Sequence, residues 1–296
     1  MFWLIITISA YFLFAMVALG DKYLLAGPPN PKSYSFYIGV LGMLSLLLIP
    51  FVGFSVPDLN QILISLLAGA IFVFAQLGLF TGLEYFEASR VVPAIGGFLP
   101  IFTFSLVYLF FGFIEVSFLE ILAFLLLVIG GVLIACRRKN FFNSKSLWIS
   151  IVAAFLFALS FTLAKIVYMS QPFWSGFIWM RIGGFLVAIS LIFTKEVKNE
   201  IFGKKFTFQR KTGFLFLLNQ SVGAGASLLQ NWAIALVPLS YLAFVNALEG
   251  VKYIFVLLFA FLLPKILKEE ISKGIIVQKI VAILFIGAGL LILSIF

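Results

Sequence analysis

Residues 11–25, YFLFAMVALGDKYLL, and residues 154–168, AFLFALSFTLAKIVY, align without a gap at an offset of 143. Phe12, Leu13, Phe14, Ala15 and Lys22 of the first stretch recur as Phe155, Leu156, Phe157, Ala158 and Lys165 of the second. Toward the end of each half, VIGGVLIA (128–135) lies against IGAGLLIL (286–293) at an offset of 158, which superposes Gly131 on Gly289, Leu133 on Leu291 and Ile134 on Ile292. The larger second offset places the extra residues mainly in the loop at 195–212. Two correspondences in the same order predict an internal repeat.

Composition says what is repeated. Of 296 residues, 64% are apolar and 10% charged, with a mean hydropathy of +1.21. A soluble domain carries about 45–50% apolar and about 25% charged residues, so a soluble globular protein is excluded. At about 20 residues per span, apolar windows separated by polar or Pro/Gly-bearing breaks predict ten transmembrane helices. They fall at 2–20, 34–54, 62–83, 91–112, 117–135, 147–169, 173–194, 213–234, 242–263 and 275–295. The expected fold class is therefore all-α integral membrane, with a first five-helix repeat at 1–136, a basic cytoplasmic linker at 137–146 and a second five-helix repeat at 147–296. Five is odd, so the second repeat enters the membrane inverted. Transporters built this way bind substrate near the midplane between their halves and rock to alternate access.

Charge placement gives the sidedness. Of the 20 lysines and arginines, all but Lys165, Arg181 and Lys252 fall in the connections after the odd-numbered spans or, for Lys279, in the adjoining first turns of the tenth span, and none falls in the other connections or at the termini. Cationic loops resist translocation, so both termini are expected outside the cytoplasm of a cell membrane. The net charge of +9 is accordingly read as facing anionic lipid, and nucleic acid is not an expected partner. The first span lacks a basic n-region and a small-residue cleavage site, so a removable signal peptide is not expected. Histidine is absent and Cys136 is the single cysteine, which leaves a disulfide framework or a His/Cys metal site without residues. No cofactor or metal is expected. Neither GxxxxGK[ST] nor GxSxG occurs, so an ATP-driven pump and a serine hydrolase lack their minimal parts.

The stretch GLEYFEASRVVPAIGGFLPIFTFSLVYLFFGFIE (82–115) has an acidic turn, a small Ala88–Ser89 pair, a mid-helix proline at Pro100 and a closing acid at Glu115. The second copy, ALVPLSYLAFVNALEGVKYIFVLLFAFLLPKILKEE (235–270), closes on Glu269 or Glu270. On these residues the chain resembles the drug/metabolite transporter superfamily, in particular its EamA-like ten-helix proteins, over nearly its whole length. The resemblance implies a permease or exporter of small metabolites. An arginine common in the second helix of each family repeat is matched by Arg181 in the second half and by nothing in the first. The second copy lacks the mid-helix proline and carries Glu249 and Lys252 instead.

Arg181, Glu249 and Lys252 lie deep in spans, where a charge facing lipid costs about 2.5–3.5 kcal/mol. Glu249 and Lys252, at i and i+3, share a helix face and can pair, and Arg181 is expected to compete for the same carboxylate. Two cations against one anion leave a surplus positive charge that an anionic or zwitterionic substrate would offset. In this reading Arg181 and Lys252 hold a carboxylate or phosphate, and Glu249 either reads an amine or carries a coupling proton. Asn246 and Gln76 are expected to orient the ligand, and Trp179 and Trp232 to wall the cavity, whereas Trp3, Trp148 and Trp174 read as interfacial anchors. Lys22 and Lys165 are expected to snorkel to the headgroups. The expected partners are a small-molecule substrate and the bilayer, with homodimerisation left open. Proton-coupled export of cationic drugs is the runner-up. A lipid-handling protein or membrane enzyme is the rival of a different class, for which only the scattered Glu84, Glu87, Glu115 and Glu120 are on offer.

Overall fold

Apolar runs of this length have one stable answer in a bilayer, because a helix satisfies its backbone groups internally. A computed structural model of the chain describes residues 2–24, 31–86, 88–112, 115–135, 144–202, 210–262 and 273–295, and among these it contains helices and no strand. Cys136, most of the basic linker, Glu87, Glu269 and Glu270 lie outside the described residues.

The order is α1 (Phe2–Leu24), α2 (Pro31–Gly42) continuing through a 3-10 segment into α3 (Ile49–Val52), α4 (Leu59–Tyr85), α5 (Ala88–Phe111), α6 (Phe118–Ala135) and α7 (Ser144–Ser170). Then follow α8 (Phe173–Ser190), α9 (Lys195–Phe202), α10 (Arg210–Leu236), α11 (Leu242–Ala247), α12 (Glu249–Leu262) and α13 (Lys273–Leu293). Among the described residues, seven stretches are long and apolar enough to cross a membrane, and two further apolar helices, Phe118–Ile134 and Val277–Leu293, are shorter. The chain is thus an all-helical protein embedded in a membrane.

Two local features depart from the sequence reading. The expected loop at 195–212 begins with a helix, α9, which follows the extended Thr194 and plants Val197 fully in the interior. The ninth expected span is broken: Leu248 interrupts the ladder between α11 and α12, and Val251 N–H bonds Leu248 O at 2.9 Å, a 3-10 contact. Pro93 and Pro100, by contrast, lie inside a single α5.

The helices interlock across the two halves of the chain. α1 packs along α10, α4 along both α7 and α8, α5 along α7 and α11, α1 along α12, α2 along α8, and α6 along α13. The closest seam is α4 on α8. A Cβ at Gly69 would stand 1.8 Å from the Met180 carbonyl oxygen, and one at Gly183 would stand 2.1 Å from that of Leu66. Small residues that let backbones touch are how membrane helices gain packing energy without a hydrophobic drive.

Lys165 corrects the snorkelling expectation. It is 5% exposed, and its ammonium donates to Ala235 O at 3.0 Å and Val237 O at 2.6 Å. A buried cation there meets the unpaired carbonyls and negative dipole end of α10. The side chain of Lys22 is outside the described residues. Trp3 likewise is no interfacial anchor: it is 8% exposed and packs on Tyr241. At the ends of α2 and α9, Lys32 and Glu196 pair at 2.8 Å, and that hydrogen bond holds the Glu196 carboxyl below the usual carboxylate range.

Gly69→Ala and Gly183→Ala should each lower stability in detergent by about 1–3 kcal/mol through forced overpacking, measured by thermal melting. Gly287→Ala, with nothing within 4 Å of the added carbon, should not. Lys165→Met should cost about 1–3 kcal/mol by stranding buried carbonyls. Because the Glu196 value is depressed in the fold, the contribution of its pair is present above the ordinary glutamate value of about 4.3 and is lost as pH falls through the lowered one. Site-specific carbon NMR should show the Glu196 titration return to the ordinary range in Lys32→Met.

Candidate functional site

A cavity of about 40 Å³ lies where the two halves meet, walled by α2 (Ile38, Gly39, Gly42), α4 (including Gly69, Phe72 and Gln76), α7 (Ser160, Phe161, Ala164), α8 (Phe177, Met180, Arg181, Gly184) and Asn231 of α10. That volume admits a few water molecules. The α4–α8 seam creates it: the backbones touch at Gly69 and Gly183, and beyond the contact the larger side chains of Gln76 and Arg181 face a common space.

Arg181 is the charge of this space. Its Nη2 donates to Ser227 Oγ at 2.5 Å, and its guanidinium sits 4.7 Å from the centre of the Phe177 ring. Among the described residues no carboxylate pairs with it. The rest of the polar wall is ordered in a chain: Tyr168 donates to Asn231 Oδ1 at 2.9 Å, and Asn231 Nδ2 donates to Ser227 O at 2.8 Å. Gln76 Oε1 is buried without a partner. A guanidinium with unused donors, an amide oxygen with nothing to accept and aromatic walls can hold a small ligand carrying an anionic group and a donor.

The three expected intramembrane charges do not form one cluster. Glu249 pairs with Lys252 one turn along α12 and receives the Tyr253 hydroxyl at 3.4 Å. Lys252 also stands 4.8 Å from the Tyr253 ring centre. Arg181 is absent from this set, because α8 packs on α2 and α4 whereas α12 packs on α1 and α6. Of the two cations expected to share Glu249, Lys252 is neutralised by it and Arg181 is not.

Of the remaining expected residues, Gln76 lines the cavity and Asn246 does not. Asn246 is fully buried, donates to Thr103 Oγ1 at 2.8 Å and keeps Oδ1 unpartnered. The tryptophan walls are also corrected. Trp232 is 39% exposed and stacks on Phe173 at 5.6 Å, while Trp179 lies 6.1 Å from Phe54 and buries an unpaired Nε1. The aromatic walls are instead Phe72, Phe161 and Phe177. Sequence reasoning passed over these, and Tyr168, Ser227 and Asn231, because nothing separates them from the other phenylalanines and packing amides until α4, α7, α8 and α10 are placed together.

No family model matches the sequence, and no curated protein matches it. A solved structure described as "Crystal structure of protein" is similar in fold, with a TM-score of 0.69 over 98% of this chain and 96% of that chain, at 14% sequence identity. At that identity the likeness speaks to the path of the backbone alone.

Proposed function

We propose that the chain is a secondary-active transporter of the drug/metabolite superfamily, EamA-like, which moves a small anionic or zwitterionic metabolite such as an amino acid by alternating access. The observation that carries this reading is Arg181, a guanidinium in the membrane interior beside a cavity that both halves of the chain build, with a hydroxyl for its partner and no carboxylate among the described residues. A cation so placed is stable when an anion or water answers it, and an anionic ligand would supply both its charge partner and an acceptor for its spare donors.

The proposed architecture is ten spans in two inverted five-helix repeats, with both termini outside the cytoplasm of the cell membrane. The helix pairing supports it. If each helix of the first half is exchanged for its counterpart in the second, the α1–α10 contact becomes α7–α4 and the α5–α7 contact becomes α12–α1, while α2–α8, α6–α13 and α5–α11 return to themselves; the α4–α8 seam departs from the pattern, since its counterpart, α10 on α2, is a much looser contact. The counterparts α4 and α10 are both 27 residues long. Repeats related by an axis in the membrane plane place their binding site between the halves near the midplane, and Arg181 stands halfway along α8. Catalysis has no part in this reading.

Purified protein should be melted against amino acids, organic acids, sugar phosphates and cationic drugs. A carboxylate or phosphate that binds only the folded state should stabilise it by about 2.7 kcal/mol at a hundredfold excess over Kd, and Arg181→Met should abolish the effect. Stabilisation by cationic compounds alone, lost in Glu249→Gln, would overturn the anion reading in favour of drug export.

A further inference from the structure

The seam of α4 on α8 and its counterpart, α10 on α2, differ in more than closeness. The first is sealed at its end by polar contacts. Gln61 Nε2 donates to Ser170 O at 3.2 Å, Gln171 Nε2 to Ser65 Oγ at 2.7 Å, and the Ser55 amide to Ser175 Oγ at 2.9 Å. These bonds tie α4 and the connection before it to α7, to the turn that follows α7 and to the first turn of α8.

Toward the other end the cavity continues along three helices. On α2, Ile38 and Gly42 line it, and Tyr34 stands one turn before Ile38; on α4, Gln76 lines it, and Phe80 stands one turn further on. On α10, Gln220, Ala224, Ser227 and Asn231 recur at i, i+4, i+7 and i+11, which is one face of a helix. The three stripes meet at Tyr34, which is 5% exposed. Its ring lies edge-on to Phe80 at 4.8 Å and to Phe216 at 6.0 Å, and its hydroxyl accepts from Gln220 Nε2 at 3.0 Å. Two turns inward along α10, Arg181 reaches from α8 past Gly42, where an added Cβ would lie 3.6 Å from its Cδ, to Ser227. Ala224, between these two links, is exposed, so α2 leaves that turn of α10 uncovered.

Charge separates the two ends as well. Lys32, paired with Glu196, precedes Tyr34 by two residues, and α9, packed against α2, exposes Lys195 and Lys198. The connections at the sealed end, 53–58 and 171–172, contain Asp58 and no lysine or arginine. An anion is drawn to the basic end, which is where α2 and α10 stand apart.

We propose that the seam between α2 and α10 is the portal through which an anionic ligand reaches Arg181, and that the hydrogen bond from Gln220 to Tyr34 is its latch. Releasing the latch frees α10 to move off α2 while the glycine contact of α4 on α8 stays closed. An anion that arrives competes with Ser227 for the donors of the guanidinium, so the ligand itself loosens the second link across the seam. The identity of what passes rests on the transport reading; the opening of the seam does not.

The test reads water access in lipid nanodiscs with a charged methanethiosulfonate, and it needs no ligand. Cys136, the single cysteine, is replaced by alanine and Ala224→Cys is introduced. That thiol should react. Tyr34→Phe and Gln220→Ala should each raise its rate about fivefold, the equilibrium equivalent of one net hydrogen bond. The two together should do no more, because both remove the same bond. Ser65→Cys, fully buried on the sealed seam, should stay unlabelled in every background. An unreactive Ala224→Cys, or equal rates with and without Tyr34→Phe, would overturn the proposal. So would labelling of Ser65→Cys in Tyr34→Phe, which would mean general loosening of the bundle rather than release of a latch. If no anion stabilises the protein in the melting panel, the transport reading fails while the labelling rates still decide the portal.

Discussion

Contact between the backbones of α4 and α8 sets the distances on which the interior depends. Gly69 and Gly183 bring each helix against carbonyls of the other, an approach that any side chain at either position would prevent. Within a bilayer there is little hydrophobic drive to bring helices together, so such close approach has to come from van der Waals contact. Once α8 is fixed there, Arg181 faces Gln76 across a small space, and α7 and α10 complete its walls. The cavity results from where the helices stop touching.

The charged residues divide by how each is answered. Lys165 is answered by carbonyls at the end of α10, Lys252 by Glu249, and Arg181 by a serine hydroxyl and an aromatic face. Only the first two arrangements are complete within the protein. In a low-dielectric interior that difference matters more than the number of charges, because an incompletely compensated ion carries its desolvation penalty until a partner arrives.

Much of this was legible in the chain. The apolar windows located the helices, since a bilayer permits few other structures, and the i, i+3 spacing of Glu249 and Lys252 was enough to foresee their pairing. Arg181 and Gln76, singled out as polar residues in spans, both line the cavity. What failed were inferences about which face of a helix looks inward. Lys165 was read as a surface lysine because its position near a helix end says nothing of the neighbouring α10 terminus. Trp232 was read as a wall because depth along a helix does not give rotation about its axis. The break at Leu248 carries no proline signal, and an apolar window that locates a span does not register one interrupted turn within it.

The cavity holds about 40 Å³, whereas sites for small organic ligands span about 300–1,000 Å³. On the transport reading, a metabolite can enter only if the helices around Arg181 part. Parting them enlarges the cross-section of the protein in the plane of the bilayer, and that work is done against the lateral pressure of the surrounding acyl chains. Ligand affinity then belongs partly to the lipid: a bilayer that resists expansion holds the protein contracted, and one that yields shares the cost of opening.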